Sequence, residues 1–255
     1  MASIETDIRG NILVITLNRP EARNAFDRAM AQEMEAIIDR YEADPELRAA
    51  IIRAEGPTFS AGMDLKAAAR GERANTPGRG GFGIFRKPPD KPLIAAVEGQ
   101  ALAGGMELTL CCDLVVASSS SVFGLAEVKR SLVAIGGGCF RLPRRLPYQL
   151  AMEMILTGEP KPADVMQRFG FVNSVVAPGK VMDEALRLAE LIAANGPLAV
   201  RAAKVIARSS IAEGWTDEQA WDRQMKVVEP VMNSEDLKEG LRAFAEKRPA
   251  VWQGR

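Results

Sequence analysis

The six positions Ile12-Leu13-Val14-Ile15-Thr16-Leu17 are apolar or β-branched and stop at Asn18-Arg19-Pro20, which predicts a buried strand closed by a turn. Beyond it Phe26, Met30, Met34, Ile37, Ile38 and Tyr41 recur at steps of three and four with charged residues between them. That spacing predicts an amphipathic helix, for which Asn24 is the expected N-cap. Pro45 ends the connection, and Ala50-Ile51-Ile52 predict a second strand. Further strands are expected at residues 93–97, 114–117 and 171–176, each beside a glycine-bearing turn and a helical pattern. From Asn195 the pattern changes. Pro197 opens a helix through Val200, Ala203, Val205 and Ile206, two more helices follow around 218–228 and 235–244, and no strand is expected. The reading is an α/β body over residues 1–194 and a helical segment over 195–255. A helical segment of about 60 residues is a poor core by itself, so it is expected to pack on the body or on a neighbouring subunit.

Residues 67–92 break the alternation. Gly71, Gly78, Gly80, Gly81 and Gly83 are interspersed with arginines and with Pro77, Pro88, Pro89 and Pro92, which predicts a long irregular loop. Its Arg79-Gly80-Gly81-Phe82 fragment resembles one unit of an RNA-binding tract, but the favoured expectation is a mobile lid over a pocket.

The composition narrows the chemistry. With 255 residues, 47% hydrophobic and 26% charged, the chain falls in the ordinary globular class. Its 33 basic and 33 acidic residues cancel, so no global field recruits nucleic acid or an anionic membrane. No apolar run approaches the ~20 residues that span a bilayer, and the opening MASIETDIRG lacks the apolar stretch of a secretory signal. Cys111, Cys112 and Cys139 are too few for a disulfide framework, so a cytoplasmic location is expected. The most restrictive count is that of histidine, which is zero. It removes every Ser-His-Asp and Cys-His mechanism and every histidine-ligated metal. Acid–base work must fall to carboxylates, lysine, tyrosine, cysteine or a bound cofactor.

Three stretches carry candidate chemistry. In Phe59-Ser60-Ala61-Gly62-Met63-Asp64-Leu65-Lys66 a strand end meets small residues and then a helix that Asp64 can cap, leaving the Met63 amide at a tight turn. In Val97 to Leu108 a strand again passes through small residues, here Gly104 and Gly105, into an apolar helix, where a ligand can approach unpaired backbone N–H groups. Each could equally be an ordinary helix entrance. Glu107 tips the balance, because an unpaired carboxylate in the first turn of an apolar helix is costly. The third stretch, Phe123-Gly124-Leu125-Ala126-Glu127-Val128, sets a carboxylate between apolar neighbours. Alone it reads as a solvated loop charge. With Glu107 it could form a pair in which burial and mutual repulsion set two different proton affinities. Cys111 and Cys112 read as packed core thiols. Gly136-Gly137-Gly138 lacks the following Gly-Lys-Ser/Thr of a phosphate loop, and Arg141, Arg144 and Arg145 read as a surface or subunit-contact cluster.

Taken in order, these stretches resemble the crotonase superfamily of enoyl-CoA hydratases and isomerases. The resemblance runs through Ile15 to Pro20 with Asn24-Ala25, Phe59 to Leu65, Lys91 to Val97, Ala103 to Leu108 with Cys112-Asp113, and Phe123 to Glu127. It ends at Glu239-Gly240, Ala243-Phe244 and Glu246-Lys247-Arg248, and so covers essentially the whole chain. It implies a spiral of repeated β-β-α units with a C-terminal helical trimerisation segment, assembled as a homotrimer or a hexamer of two trimers. It also implies an acyl-CoA thioester substrate, with the Met63 and Gly104 amides as its oxyanion hole. Glu107 would activate water and Glu127 would deliver a proton to Cα. Ala22, Ala61, Asp64, Leu65 and Lys66 would lie along the CoA path, and Phe244 and Lys247 at the adenine end. No metal or redox cofactor is implied, coenzyme A being carried by the substrate. Hydratases of the family often read Pro-Gly-Ala-Gly-Gly after the second glutamate. Here the stretch is Val133-Ala134-Ile135-Gly136-Gly137-Gly138, with Ile135 in the glycine's place. The rival reactions on this frame are double-bond isomerisation and dehydration of a hydroxyacyl- or carnitinyl-CoA, and the rival from another class is a non-catalytic RNA-binding member.

Overall fold

The computed structural model describes residues 2–255. The chain opens with a hairpin of β1 (Ile4–Arg9) and β2 (Ile12–Leu17), turned at Gly10. Every residue of β2 is buried, because the strand lies between β1 and β3 (Ala49–Ala54) in a six-stranded sheet. Between β2 and β3 runs α1 (Arg28–Ala43), which buries Met30, Met34, Ile37, Ile38 and Tyr41 as its spacing requires. Its N-cap is Asp27, which accepts from the Met30 N–H at 2.9 Å, and not Asn24. Asn24 is instead fully buried in a left-handed turn, where its side-chain amide donates to the Glu55 and Thr58 carbonyls. Its side-chain oxygen accepts from the Arg19 N–H at 2.8 Å, so it is not free for the helix start.

From β3 onward the chain repeats one figure. A strand of the large sheet is followed by a strand of a second, four-stranded sheet and then by a helical turn. β3 leads to β4 (Thr58–Ser60) and α2 (Leu65–Ala69). After a small hairpin of β5 (Asn75–Thr76) and β6 (Gly80–Gly81), β7 (Leu93–Val97) leads to β8 (Gln100–Leu102) and α3 (Gly104–Thr109). β9 (Leu114–Ser118) leads to β10 (Val122–Gly124) and the turn of 3-10 helix Glu127–Arg130. β3, β7 and β9 are parallel neighbours in one sheet, and β4, β8 and β10 in the other. A chain that advances one strand in each sheet per turn is a spiral of β-β-α units. Each turn delivers its helix start to the same side, which is how distant segments come to share a site.

The short helices α4 (Gly138–Arg141), α5 (Tyr148–Thr157) and α6 (Ala163–Arg168) follow, with β11 (Lys161–Pro162) at the edge of the small sheet. β12 (Ser174–Val176) completes the large sheet and is shorter than the expected 171–176. Phe171 and Val172 are buried beneath it, and Asn173 uses its side-chain oxygen to accept from the Val115 N–H. The period-2 alternation of the buried strands divides the core. Ile51, Ile94, Ala96 and Val116 meet α7 (Val181–Ala193) on one face, while Ile52, Ala95, Val97 and Val115 join α1 and the small sheet on the other.

Residues 67–92 are not a free loop. Arg79 is 3% exposed and donates to Asp39 at 2.7 Å, to Glu42 at 2.6 Å and to the Lys87 carbonyl at 2.7 Å, so the hairpin is fastened to α1. Phe82, Ile84 and Phe85 are buried behind it. The C-terminal helices α8 (Pro197–Glu213), α9 (Asp217–Met232) and α10 (Glu235–Glu246) reach the body mainly through polar ties. Lys204 meets Asp113 at 2.6 Å, Arg208 meets Asp90, and Arg48 holds the Ala193 and Trp252 carbonyls. Among the described residues no helix is long and apolar enough to cross a membrane.

Candidate active site

Two turns of the spiral place the ends of β4 and β8 against each other. A methyl group at Gly62 would lie 2.8 Å from the Gly104 nitrogen, and one at Gly104 would lie 3.2 Å from the Gly62 Cα. Only residues without a side chain allow this approach, and Gly62 also holds a φ of +95°. Met63 therefore leaves the first turn immediately beside the start of α3. Its backbone is pinned on either side, since the Gly62 carbonyl accepts from the Phe26 N–H at 2.8 Å and the Asp64 N–H donates to the Phe26 carbonyl at 2.9 Å. Among the described residues, neither the Met63 nor the Gly104 N–H donates to a protein acceptor. Asp64 caps α2, accepting from Lys66 and Ala67 N–H, and these bonds with Arg19 hold its carboxyl below the usual range. Before Gly104, Ala103 adopts a φ of +51°. That conformation strains an L-residue by about 1–3 kcal/mol and is sustained by the surrounding bonds, Ala103 N–H to the Gly124 carbonyl among them.

Glu107 follows one turn into α3 and is 4% exposed. Its Oε1 accepts from the Gly138 N–H at 2.9 Å. Burial pushes its carboxyl from 4.5 up to about 7, the charge of Glu127 adds to the rise, and the Gly138 bond and the Arg141 cation oppose it. Glu127, at the start of the 3-10 turn, is half-buried, and burial raises its carboxyl too. Its Oε2 is buried with no hydrogen-bond partner. Two acids that stand apart in sequence are thus both desolvated, and the Glu127 charge makes Glu107 harder to ionise.

The glycine run that resembled a phosphate loop is the cradle of this pair. A methyl at Gly136 would sit 2.5 Å from Glu107 Oε2 and 2.4 Å from the Phe85 ring, so the backbone itself closes on the carboxylate. Nothing in the local spacing announces that role; a glycine run eight residues or so beyond a candidate acid was the available signal. The arginines divide differently from the sequence reading. Arg141 is half-buried and turns onto this loop, with the exposed Phe140 ring 5.5 Å from its guanidinium, while Arg144 and Arg145 are exposed, Arg145 donating to the Cys112 carbonyl. Phe26, Phe82 and Phe85 form an aromatic column. Phe26 and Phe82 are stacked at 4.2 Å, Phe85 tilts on Phe82 at 4.5 Å, and the Phe82 ring lies directly against Gly104. Of this column the sequence pattern marked only Phe26, in the apolar spacing that leads into α1, and left residues 82 and 85 within the irregular stretch. Cys111 and Cys112 are buried, and desolvation pushes the Cys111 thiol up to about 11, in keeping with packed thiols.

Of the other sequence candidates, Ala22, Ala61, Asp64, Leu65 and Lys66 gather around the Met63 turn. The Ala61 N–H donates to the Arg23 carbonyl, and Arg19 bridges Asp27 and Asp64. Leu65 is 50% exposed and Lys66 is exposed, which leaves this rim open to a ligand. Phe244 and Lys247 do not join it. Phe244 is 86% exposed near the end of α10, and among the described residues no hydrogen bond or ion pair connects α10 with Ala22 or with residues 61–66. Ile135 is 90% exposed beside the glycine cradle.

Comparison with known proteins places the chain among its relatives. The family model described as enoyl-CoA hydratase/isomerase matches residues 7–255. An enoyl-CoA hydratase of Mycobacterium tuberculosis is 40% identical, and the match covers 100% of both chains. A carnitinyl-CoA dehydratase of Proteus mirabilis is 42% identical over 99% of each. Among solved structures, an enoyl-CoA hydratase of Mycobacterium tuberculosis superposes with a TM-score of 0.96 at 49% identity, covering 99% of each chain.

Proposed function

The chain belongs to the enoyl-CoA hydratase/isomerase family and is an enzyme of the hydro-lyase type, and from that premise we propose that it adds water across the 2,3 double bond of an enoyl-CoA thioester, with Glu107 and Glu127 as its acid–base pair. Hydration or dehydration of a CoA thioester is the chemistry of its relatives. The observation that carries the finer assignment is the asymmetry of the two acids. An ionised carboxylate needs donors, and Glu107 has one in the Gly138 N–H. Glu127 Oε2 has none, so that oxygen is the better holder of a proton.

In the reaction so read, the thioester oxygen sits on the Met63 and Gly104 N–H groups. Glu107 takes a proton from water as the water oxygen bonds to Cβ. The π electrons move to Cα and the carbonyl oxygen, where the two amides stabilise the enolate-like charge; losing one such donor typically costs ~3–4 kcal/mol. Cα then takes the proton from Glu127. Glu107 ends protonated and Glu127 ionised, and exchange with water resets them. Dehydration of the 3-hydroxyacyl thioester is the same path reversed. The rim at Ala22, Ala61, Asp64, Leu65 and Lys66 would carry the CoA moiety, while Phe244 and Lys247 would reach a neighbouring subunit's site in a homotrimer or hexamer.

The test is a panel of enoyl-CoAs from four-carbon to ring-bearing chains, followed by loss of the conjugated-thioester absorbance, with carnitinyl-CoA alongside. Glu107→Gln and Glu127→Gln are each expected to lower kcat by about 10²–10⁴-fold, the usual weight of a positioned acid or base. Full activity of both variants on every substrate the wild type accepts would sink the assignment. Turnover of carnitinyl-CoA alone would move the reaction to the dehydratase reading that the 42% identical relatives favour.

A further inference from the structure

We propose that Arg141 is the positioning residue of this site: its guanidinium fastens together the segment that carries Glu107, the glycine loop seated on Glu107 and the hairpin behind both. The inference rests on the reading of Glu107 as an acid–base group. Arg141 closes α4, the one-turn helix whose first residue, Gly138, donates to Glu107. From there its fork reaches three other segments. Nη2 donates to the Phe85 carbonyl at 2.5 Å, and Nη1 to the Cys111 sulfur at 3.2 Å and to the Gly136 carbonyl at 3.4 Å. Cys111 lies just beyond α3, one helical turn past Glu107. Gly136 touches Glu107 Oε2, and the Phe85 ring packs on Gly136. One guanidinium therefore ties together the Phe85, Cys111 and Gly136 segments that lie next to Glu107. A planar five-donor fork can satisfy three acceptors in fixed directions, which a lysine ammonium on a flexible stem cannot.

The clamp also carries charge. The groups that face Glu107 are Glu127 from the 3-10 turn, Arg141 from α4, and the thiols of Cys111 and Cys139. Arg141 is the one cation in this set, and it favours the ionised form of Glu107 while Glu127 opposes it. Position and charge can be separated by substitution. Arg141→Lys keeps the cation and loses the fork. Arg141→Gln loses both.

With a short 2-enoyl-CoA as probe, Arg141→Lys is expected to lower kcat about tenfold, the order typical of a supporting residue one contact from the chemistry, with KM steady and the acid limb of the pH profile in place. Arg141→Gln is expected to add a displacement of that limb to higher pH. Titration of the Glu107 carboxyl by 13C NMR reads the same displacement without turnover. A folded Arg141→Lys with wild-type kcat overturns the proposal, and so does an acid limb in folded Arg141→Gln that stays where the wild type has it. Should Arg141→Gln not fold, the lysine variant decides alone. Failure of the acid–base reading is recognised separately, by an active Glu107→Gln.

Discussion

At the scale of single residues, the cost of the site is readable in Glu107. An unfolded chain ionises this carboxyl near 4.5 and the folded one near 7. Below 4.5 both states carry the proton and the group is neutral to stability. Between 4.5 and 7 the unfolded state loses its proton while the folded state keeps it, so folding is progressively penalised. Above 7 both are ionised and the penalty levels off at about 3 kcal/mol. Glutamine carries no such penalty and retains an oxygen for the Gly138 N–H. Glu107→Gln is therefore expected to raise unfolding free energy at pH 8 by up to about 3 kcal/mol, with the gain shrinking toward zero near pH 4. Urea unfolding at both ends of that range measures it. A gain that is independent of pH would mean that the buried charge is not its source. The sequence made this residue visible, because a carboxylate among small and apolar neighbours on a helix needs an explanation. Its partner was far less visible. Glu127, between Ala126 and Val128 with Lys129 and Arg130 just beyond, reads alone as a solvated loop charge, and its burial depends on segments that reach it only through the fold.

At the scale of elements, strands and helices followed from periodicity because burial imposes it locally. β2, α1, β7 and the three C-terminal helices stand close to where their apolar spacing put them. The hairpin at residues 75–81 did not, for a physical reason. Glycines and prolines report freedom of the backbone, and what removes that freedom is a partner about 40 residues upstream: Asp39 and Glu42 on α1 grip Arg79. No local pattern encodes a tie of that length. Asn24 illustrates the same point: its oxygen is taken by the Arg19 N–H and its amide nitrogen by the Glu55 and Thr58 carbonyls, 31 and 34 residues on. The hairpin matters because Phe82 backs Gly104 and Phe85 backs Gly136. Arg79→Ala leaves Glu42 Oε2, on a side chain 15% exposed, and the Lys87 carbonyl without the Arg79 donor, Glu42 keeping only the Asp90 N–H on Oε1. It is expected to cost about 3 kcal/mol, as breaking a buried pair does, and to speed amide exchange over residues 75–86. Asp39→Ala should cost under about 1 kcal/mol, because its carboxylate is 60% exposed. Equal losses in the two variants would show that the hairpin is not held by the buried half of this network.

At the scale of the whole molecule, the C-terminal helices leave apolar surface uncovered by their own chain. No residue of α9 is buried, and α8 buries only Ala202. Yet Ile211, Trp221, Met225 and Met232 expose 63%, 69%, 55% and 57% of their surfaces. Large apolar side chains on amphipathic helices without a covering layer mark an association surface, and the occupant we propose is a second copy of the chain. On the proposed reading Phe244 and Lys247 would serve the site of that second copy. Two consequences should appear together. Light scattering should give the mass of a trimer or of two trimers, and Trp221→Glu with Met225→Glu should shift it toward the monomer. Across the same dilution or mutation series, KM for the thioester should rise while the Glu107 carboxyl titration stays put, because on the proposed reading both acids come from one chain and the adenine end needs a second. A wild-type chain that is monomeric and binds its thioester with undiminished affinity would leave Phe244 and Lys247 without a role and the apolar faces of α8 and α9 without an explanation.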